Sequence, residues 1–107
     1  MLDDPREPLA KLKEGLQAIY GDRLRGVYLY GSYARGEATE DADMDVLIVL
    51  DEVSPSYLTE LRRSSELTST LSLEYDVSIS RVLLADGEWS ACDSFFLQNV
   101  RRDAVAA

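Results

Sequence analysis

Two short stretches of this chain carry residue types suited to phosphate chemistry: Gly31-Ser32-Tyr33-Ala34-Arg35-Gly36, and Asp43-Met44-Asp45 a short acidic loop later. Before the first lies Val27-Tyr28-Leu29-Tyr30, a β-branched and aromatic run that reads as a buried strand. Gly31 and Ser32 therefore stand where a strand ends. Glycine lets backbone approach a bulky anion, the Ser32 hydroxyl adds a donor, and a helix opening at Tyr33 would turn its positive end toward a phosphate. The same residues also suit a plain turn glycine and a helix cap, uses compatible with anion binding because they share donors. For Arg35 two uses stay open: contact with a phosphate, or an ion pair with Glu37 or an aspartate that braces the loop.

The aspartates obey a different geometry. If Asp43 stands at the entrance of a strand, the period of two puts it on the same face as Asp45. Two unit charges roughly 4 Å apart cost about 4 kcal/mol at an effective dielectric near 20, so such a pair must stay solvated, share a proton or bind a cation. A hard divalent ion such as Mg²⁺ takes one or two protein carboxylates and completes its octahedron with water and phosphate oxygens. An anion cradle and a cation clamp this close together suggest phosphoryl or nucleotidyl transfer. Read alone, an Asp-x-Asp is an acidic loop tip; its setting favours the metal-binding reading.

Gly31-Ser32, then Arg35-Gly36, then Asp43-x-Asp45 opening an apolar strand resembles the nucleotidyltransferase superfamily typified by polymerase beta, and in particular its shortest members, the minimal nucleotidyltransferases. The resemblance runs from about residue 8 to about residue 101. It departs at Ala42, where many members carry serine before the first aspartate. By resemblance, a third aspartate on a later strand completes a metal-binding triad. Asp76 is the candidate here, with Glu74 on the same face as the fallback; Asp51 lies roughly 20 Å from Asp45 at about 3.3 Å per residue, too far to join it. The bland alternative is that Asp76 is a solvated residue on a half-exposed strand. The resemblance further implies ATP as nucleotide and Mg²⁺ bound by Asp43, Asp45 and Asp76. The implied role is the antitoxin half of a pair whose HEPN-domain ribonuclease toxin receives AMP on a tyrosine, in a hetero-oligomer. The rival is a binding module that silences such a partner by contact alone.

The supporting elements follow from periodicity and turn chemistry. Leu9, Leu12, Leu16 and Ile19 mark an amphipathic helix over residues 8–20, stopped at Gly21. Strands are expected at residues 26–30 and 44–50, the second apolar without alternation from Val46 and so covered on both faces. Ser54-Pro55 opens a further helix with Leu58, Leu61, Leu67 and Leu71 on its stripe. The alternation of Leu73, Tyr75, Val77 and Ile79 with polar residues predicts a strand over 73–80, and residues 88–100 a last helix after an Asp86-Gly87 turn. Residues 1–7 and 103–107 are expected to be loose. The architecture is α/β: a small mixed sheet flanked by helices, in one domain of 107 residues.

Composition narrows the functions. A net charge of -9 argues against general affinity for nucleic acid and toward a basic partner. One cysteine allows no internal disulfide, and with no histidine the usual zinc sites are excluded. Cys92, on the expected last helix, reads as a small packed side chain because no histidine exists to activate it. The absence of a signal-type segment or long apolar run points to a cytoplasmic chain with no membrane association. A Walker loop fails because no lysine stands near Gly36, and an EF-hand starting at Asp41 would need glycine at Val46.

Overall fold

The computed structural model describes residues 2–91 and 94–107; Cys92 lies outside them. Helix α1 (Arg6–Tyr20) buries Leu9, Leu12, Leu16 and Tyr20 on one stripe and ends where Gly21 takes a positive φ of 58°. A 3-10 turn at Gly21–Arg23 leads into β1 (Leu24–Tyr30). Gly31 breaks the strand, α2 (Ser32–Arg35) makes a single turn, and Gly36 closes it in the left-handed region. A loop then delivers the chain to β2 (Met44–Leu50).

β2 occupies the inside of a four-stranded mixed sheet of order β3-β2-β1-β4, antiparallel to β1 and parallel to β3 (Ile79–Ala85). Its two faces feed two apolar clusters. Met44, Val46, Ile48 and Leu50 pack with α1 residues, while Leu47 and Val49 pack with Trp89, Leu97 and Val100 of α5 (Asp86–Ala91) and α6 (Phe95–Asp103). This is why the run from Val46 shows no polar alternation: every second position has its own apolar layer to enter. No helix among the described residues is long and apolar enough to cross a membrane.

The largest departure from expectation lies between β2 and β3. Ser54-Pro55 precedes the helix instead of opening it; α3 (Tyr57–Arg63) starts one residue after Ser56, whose side chain accepts the Thr59 amide at 3.2 Å. A second helix, α4 (Ser65–Tyr75), then consumes the first half of the expected strand. Leu67, Leu71 and Tyr75 recur four apart, and that spacing lets all three pack on the α1 side of the core, whereas Leu73 is left 85% exposed. Lys11 donates to Glu74 at 2.9 Å and the Tyr75 hydroxyl donates to Glu7 at 2.8 Å, so α4 is tied to α1. The alternation through residue 79 was a coincidence of composition. At the other end the tail expected to be loose adds a strand: β4 (Val105–Ala106) pairs with β1, and the Ala107 amide donates to the Val27 carbonyl at 2.9 Å. Leu2 is likewise buried in the core cluster, ahead of α1.

Candidate active site

Strand β1 hands its last residue, Tyr30, into register with Asp45 of β2. Registered neighbours project to the same face of a sheet, so Asp45 looks toward the α5 and α6 side, as do Leu47 and Val49 farther along β2. Directly after Tyr30 the chain must turn without meeting that carboxylate. Gly31 achieves this with φ 76° and ψ -155°, a region open only to glycine, and a Cβ there would overlap the Asp45 carboxylate. The Gly31 carbonyl accepts the Arg35 amide at 3.1 Å, the first intrahelical bond of α2, and among the described residues no side chain caps the amino end of that turn. The corner thus retains the free amides that an anion would use.

Asp43 sits in the loop one residue before β2, and the Met44 amide between the two aspartates donates to the Ser78 carbonyl at 2.8 Å. Burial pushes the Asp45 carboxyl above its ordinary range, the charge of Asp43 adds to this, and the Arg35 guanidinium opposes it. The charge of Asp43 thus reaches Asp45. Among the described residues no hydrogen bond engages either carboxylate, so their oxygens are available to a cation. The pair fits a divalent ion that shares its coordination with phosphate oxygens. It does not form a closed protein cage, since no group of three acid, cysteine or histidine side chains among the described residues could hold a metal.

The remaining expected site residues are placed unevenly. Ser32 opens α2 beside Gly31. Arg35 takes the bracing role: its Nε donates to Glu37 at 3.1 Å and its Nη1 to Asp103 at 3.0 Å, joining α2 to α6. Asp76 is not on a strand. It caps α4 in the left-handed conformation, φ 51° and ψ 50°, and lines a polar hollow of about 210 Å³ with Asp43 but not Asp45. Glu74 is held by Lys11 at the α1 contact. The β3 residue in register with Asp45 is Ser80, and Ser78 lies beside Asp43. Sequence reasoning missed these two serines because it began the strand six residues early; the run from Arg81 to Ala85, with Val82, Leu83 and Leu84, was the signal for the later strand. Tyr33, next to the corner, is buried in the core.

Comparison with known proteins bears on the family and the fold. Residues 9–100 match the family model described as a nucleotidyltransferase domain. The chain is 37% identical over 76 residues to the protein adenylyltransferase MntA of Thermococcus cleftensis, a match covering 71% of this chain and 74% of that one. Its fold resembles a solved toxin–antitoxin complex with AMP-PNP, with TM-score 0.59 at 20% identity over 89% of this chain and 68% of that one. It also resembles a structure of a tri-AMPylated HEPN toxin of Shewanella oneidensis in complex with an MNT antitoxin, with TM-score 0.51 at 17% identity over 92% and 70% of the two chains.

Proposed function

Because this chain belongs to the nucleotidyltransferase domain family, we propose that it transfers AMP from ATP to a hydroxyl of a cognate HEPN-type toxin and so acts as that toxin's antitoxin in the cytoplasm. The observation that carries the reading is the apposition of Gly31 and Asp45: a corner with uncapped amides lies against the Asp45 carboxylate, on which the charge of Asp43 also acts. The name of the Thermococcus cleftensis relative supports AMP transfer to protein, and the toxin complexes support the partner class.

In this reading the amides after Gly31 and the Ser32 hydroxyl hold the outer phosphates, which fixes the α-phosphorus in front of Asp43 and Asp45. Asp43 and Asp45 would hold Mg²⁺, which when bound neutralises the charge that develops on the phosphates. The acceptor hydroxyl oxygen then forms a bond to the α-phosphorus, the bond from the α-phosphorus to its bridging oxygen breaks with the electron pair leaving on pyrophosphate, and the hydroxyl proton passes to solvent water. Gly31 keeps the corner and the carboxylates in contact, and the Arg35–Asp103 pair holds α2 against α6 so that the corner does not swing away.

The direct trial incubates the protein with Mg²⁺, labelled ATP and the product of the adjacent gene as the candidate toxin. Label on the toxin is expected, and Asp43→Ala with Asp45→Ala should abolish it; label reaching neither protein would refute the reading. One observation favours a second reading in which contact alone silences the toxin: Ser80 of β3 stands in register with Asp45, and Ser78, just ahead of β3, accepts the Met44 amide beside Asp43, so neither neighbour is an acid. If the double aspartate variant still suppresses toxicity in cells, contact suffices.

A further inference from the structure

Gly31 borders a second hollow, of about 220 Å³, lined also by Tyr30, Phe96, Asn99, Arg35 and Asp103. Sites that take whole small molecules run to roughly 300–1,000 Å³, so this one suits a fragment of a nucleotide and not all of it. Tyr30 is in register with Asp45, which places the hollow on the carboxylate face and at the same end of the sheet. Two of its lining residues are aromatic. The Tyr30 and Phe96 rings meet edge to face with centroids 6.0 Å apart, and Phe96 remains 48% exposed beside a polar corner. An apolar ring left in water next to a phosphate cradle gains from a flat partner, and base–aromatic stacking supplies one.

Asn99 adds direction. Its Oδ1 accepts Arg102 Nη2 at 2.5 Å, which identifies the oxygen and leaves the amide NH₂ as a donor. A donor on a purine's edge favours a bare ring nitrogen, such as N1 of adenine, over the N1–H that guanine carries there. The ion pair of Arg35 and Asp103, one residue from each of α2 and α6, fixes the width of the hollow.

We propose that this hollow is the base subsite: Phe96 stacks on adenine, and the Asn99 amide donates to a ring nitrogen and sets the preference for adenine over guanine. The proposal rests on reading Gly31–Ser32 as the phosphate corner, since the triphosphate must leave the hollow past Gly31.

Calorimetric titration with AMP-PNP, GMP-PNP and inorganic tripolyphosphate, each with Mg²⁺, tests it on the full chain. The wild type should prefer AMP-PNP over GMP-PNP by about tenfold. Phe96→Ala should weaken AMP-PNP by about tenfold or more, and Asn99→Ala should bring the two analogues close to equal affinity. Asn99→Asp keeps the shape, presents an acceptor and should move the preference toward guanine. Tripolyphosphate, having no base, should bind these variants and the wild type alike. Unchanged affinity and preference in all three variants, with tripolyphosphate still bound, overturns the subsite and leaves the phosphate corner standing. Binding of none of the three probes by the wild type overturns both. A Phe96→Ala variant that raises KM for the toxin at unaltered AMP-PNP affinity assigns the hollow to the acceptor and overturns the subsite.

Discussion

Gly31 and Asp45 face each other across the β1–β2 ladder so closely that a methyl group on the glycine would occupy the space of the carboxylate. The contact joins the two halves of the site through a single missing side chain. It follows from the register Tyr30–Asp45: the residue after a strand's last paired position must pass over the neighbouring side chain, and a positive φ is the route that clears it.

Gly31→Ala should therefore damage both folding and binding. The backbone conformation alone costs roughly 1–3 kcal/mol for a residue with a Cβ, and the overlap with Asp45 adds to that. Urea denaturation should show the loss, and Mg²⁺-dependent AMP-PNP binding should fall beyond what the unfolded fraction explains. An alanine variant of wild-type stability would mean that Asp45 can move aside freely.

Asp45→Asn should stabilise the protein at neutral pH. Burial, then the charge of Asp43, raises the folded-state pKa of Asp45, so the folded protein binds this proton more tightly than the unfolded chain does. The stability linked to it is present below the unfolded pKa and is lost as pH rises through the raised folded value. The gain from asparagine is thus largest at pH 7 and shrinks as pH falls toward the ordinary carboxylate range. Denaturant midpoints of both proteins across that range check the sign. Added Mg²⁺ should stabilise the wild type more than the variant.

Arg35 and Asp103 should behave as a brace. A double-mutant cycle with Arg35→Ala and Asp103→Ala is expected to give a coupling of about 0.2–1 kcal/mol, as befits a partly exposed pair. Nucleotide affinity should fall by similar factors in the two single variants. A much larger fall for Arg35→Ala would reveal a direct contact with phosphate.

Asp76 should be tolerant where Asp43 is not. Its φ of 51° is one that glycine adopts without strain, so Asp76→Gly is expected to leave stability unchanged or raised by up to about 1 kcal/mol. Transfer should fall less than tenfold, against about a hundredfold or more for Asp43→Asn. A loss in Asp76→Gly as large as that in Asp43→Asn would place the Asp76 carboxylate in the chemistry after all.

Ser80→Asp should tighten cation binding. It sets a third carboxylate in register beside Asp45, and titration with Mn²⁺ followed by electron paramagnetic resonance should detect higher affinity. Unchanged Mn²⁺ binding would show that the β3 side of the pair is closed to metal.

Residues close together in the chain were enough to define the local features. The stripe of α1, the glycine corner, the apolar β2 opened by Asp43 and Asp45, and the mixed sheet were legible because each depends on neighbours a few residues apart: helical spacing, turn chemistry, alternation or its absence. The tertiary structure alone decided what lies beside the aspartates. Residues 73–76 fit a strand by alternation and a helix by the spacing of Leu67, Leu71 and Tyr75, and packing on the α1 side of the core selected the helix. That choice moved β3 along the chain and put Ser80, not Asp76, in register with Asp45. Likewise nothing near Arg35 in sequence names Asp103 as its partner, and nothing near Gly31 names Phe96 and Asn99 as its neighbours. Such pairings are set by how α6 packs on the sheet, and long-range packing leaves no period in the chain from which to read it.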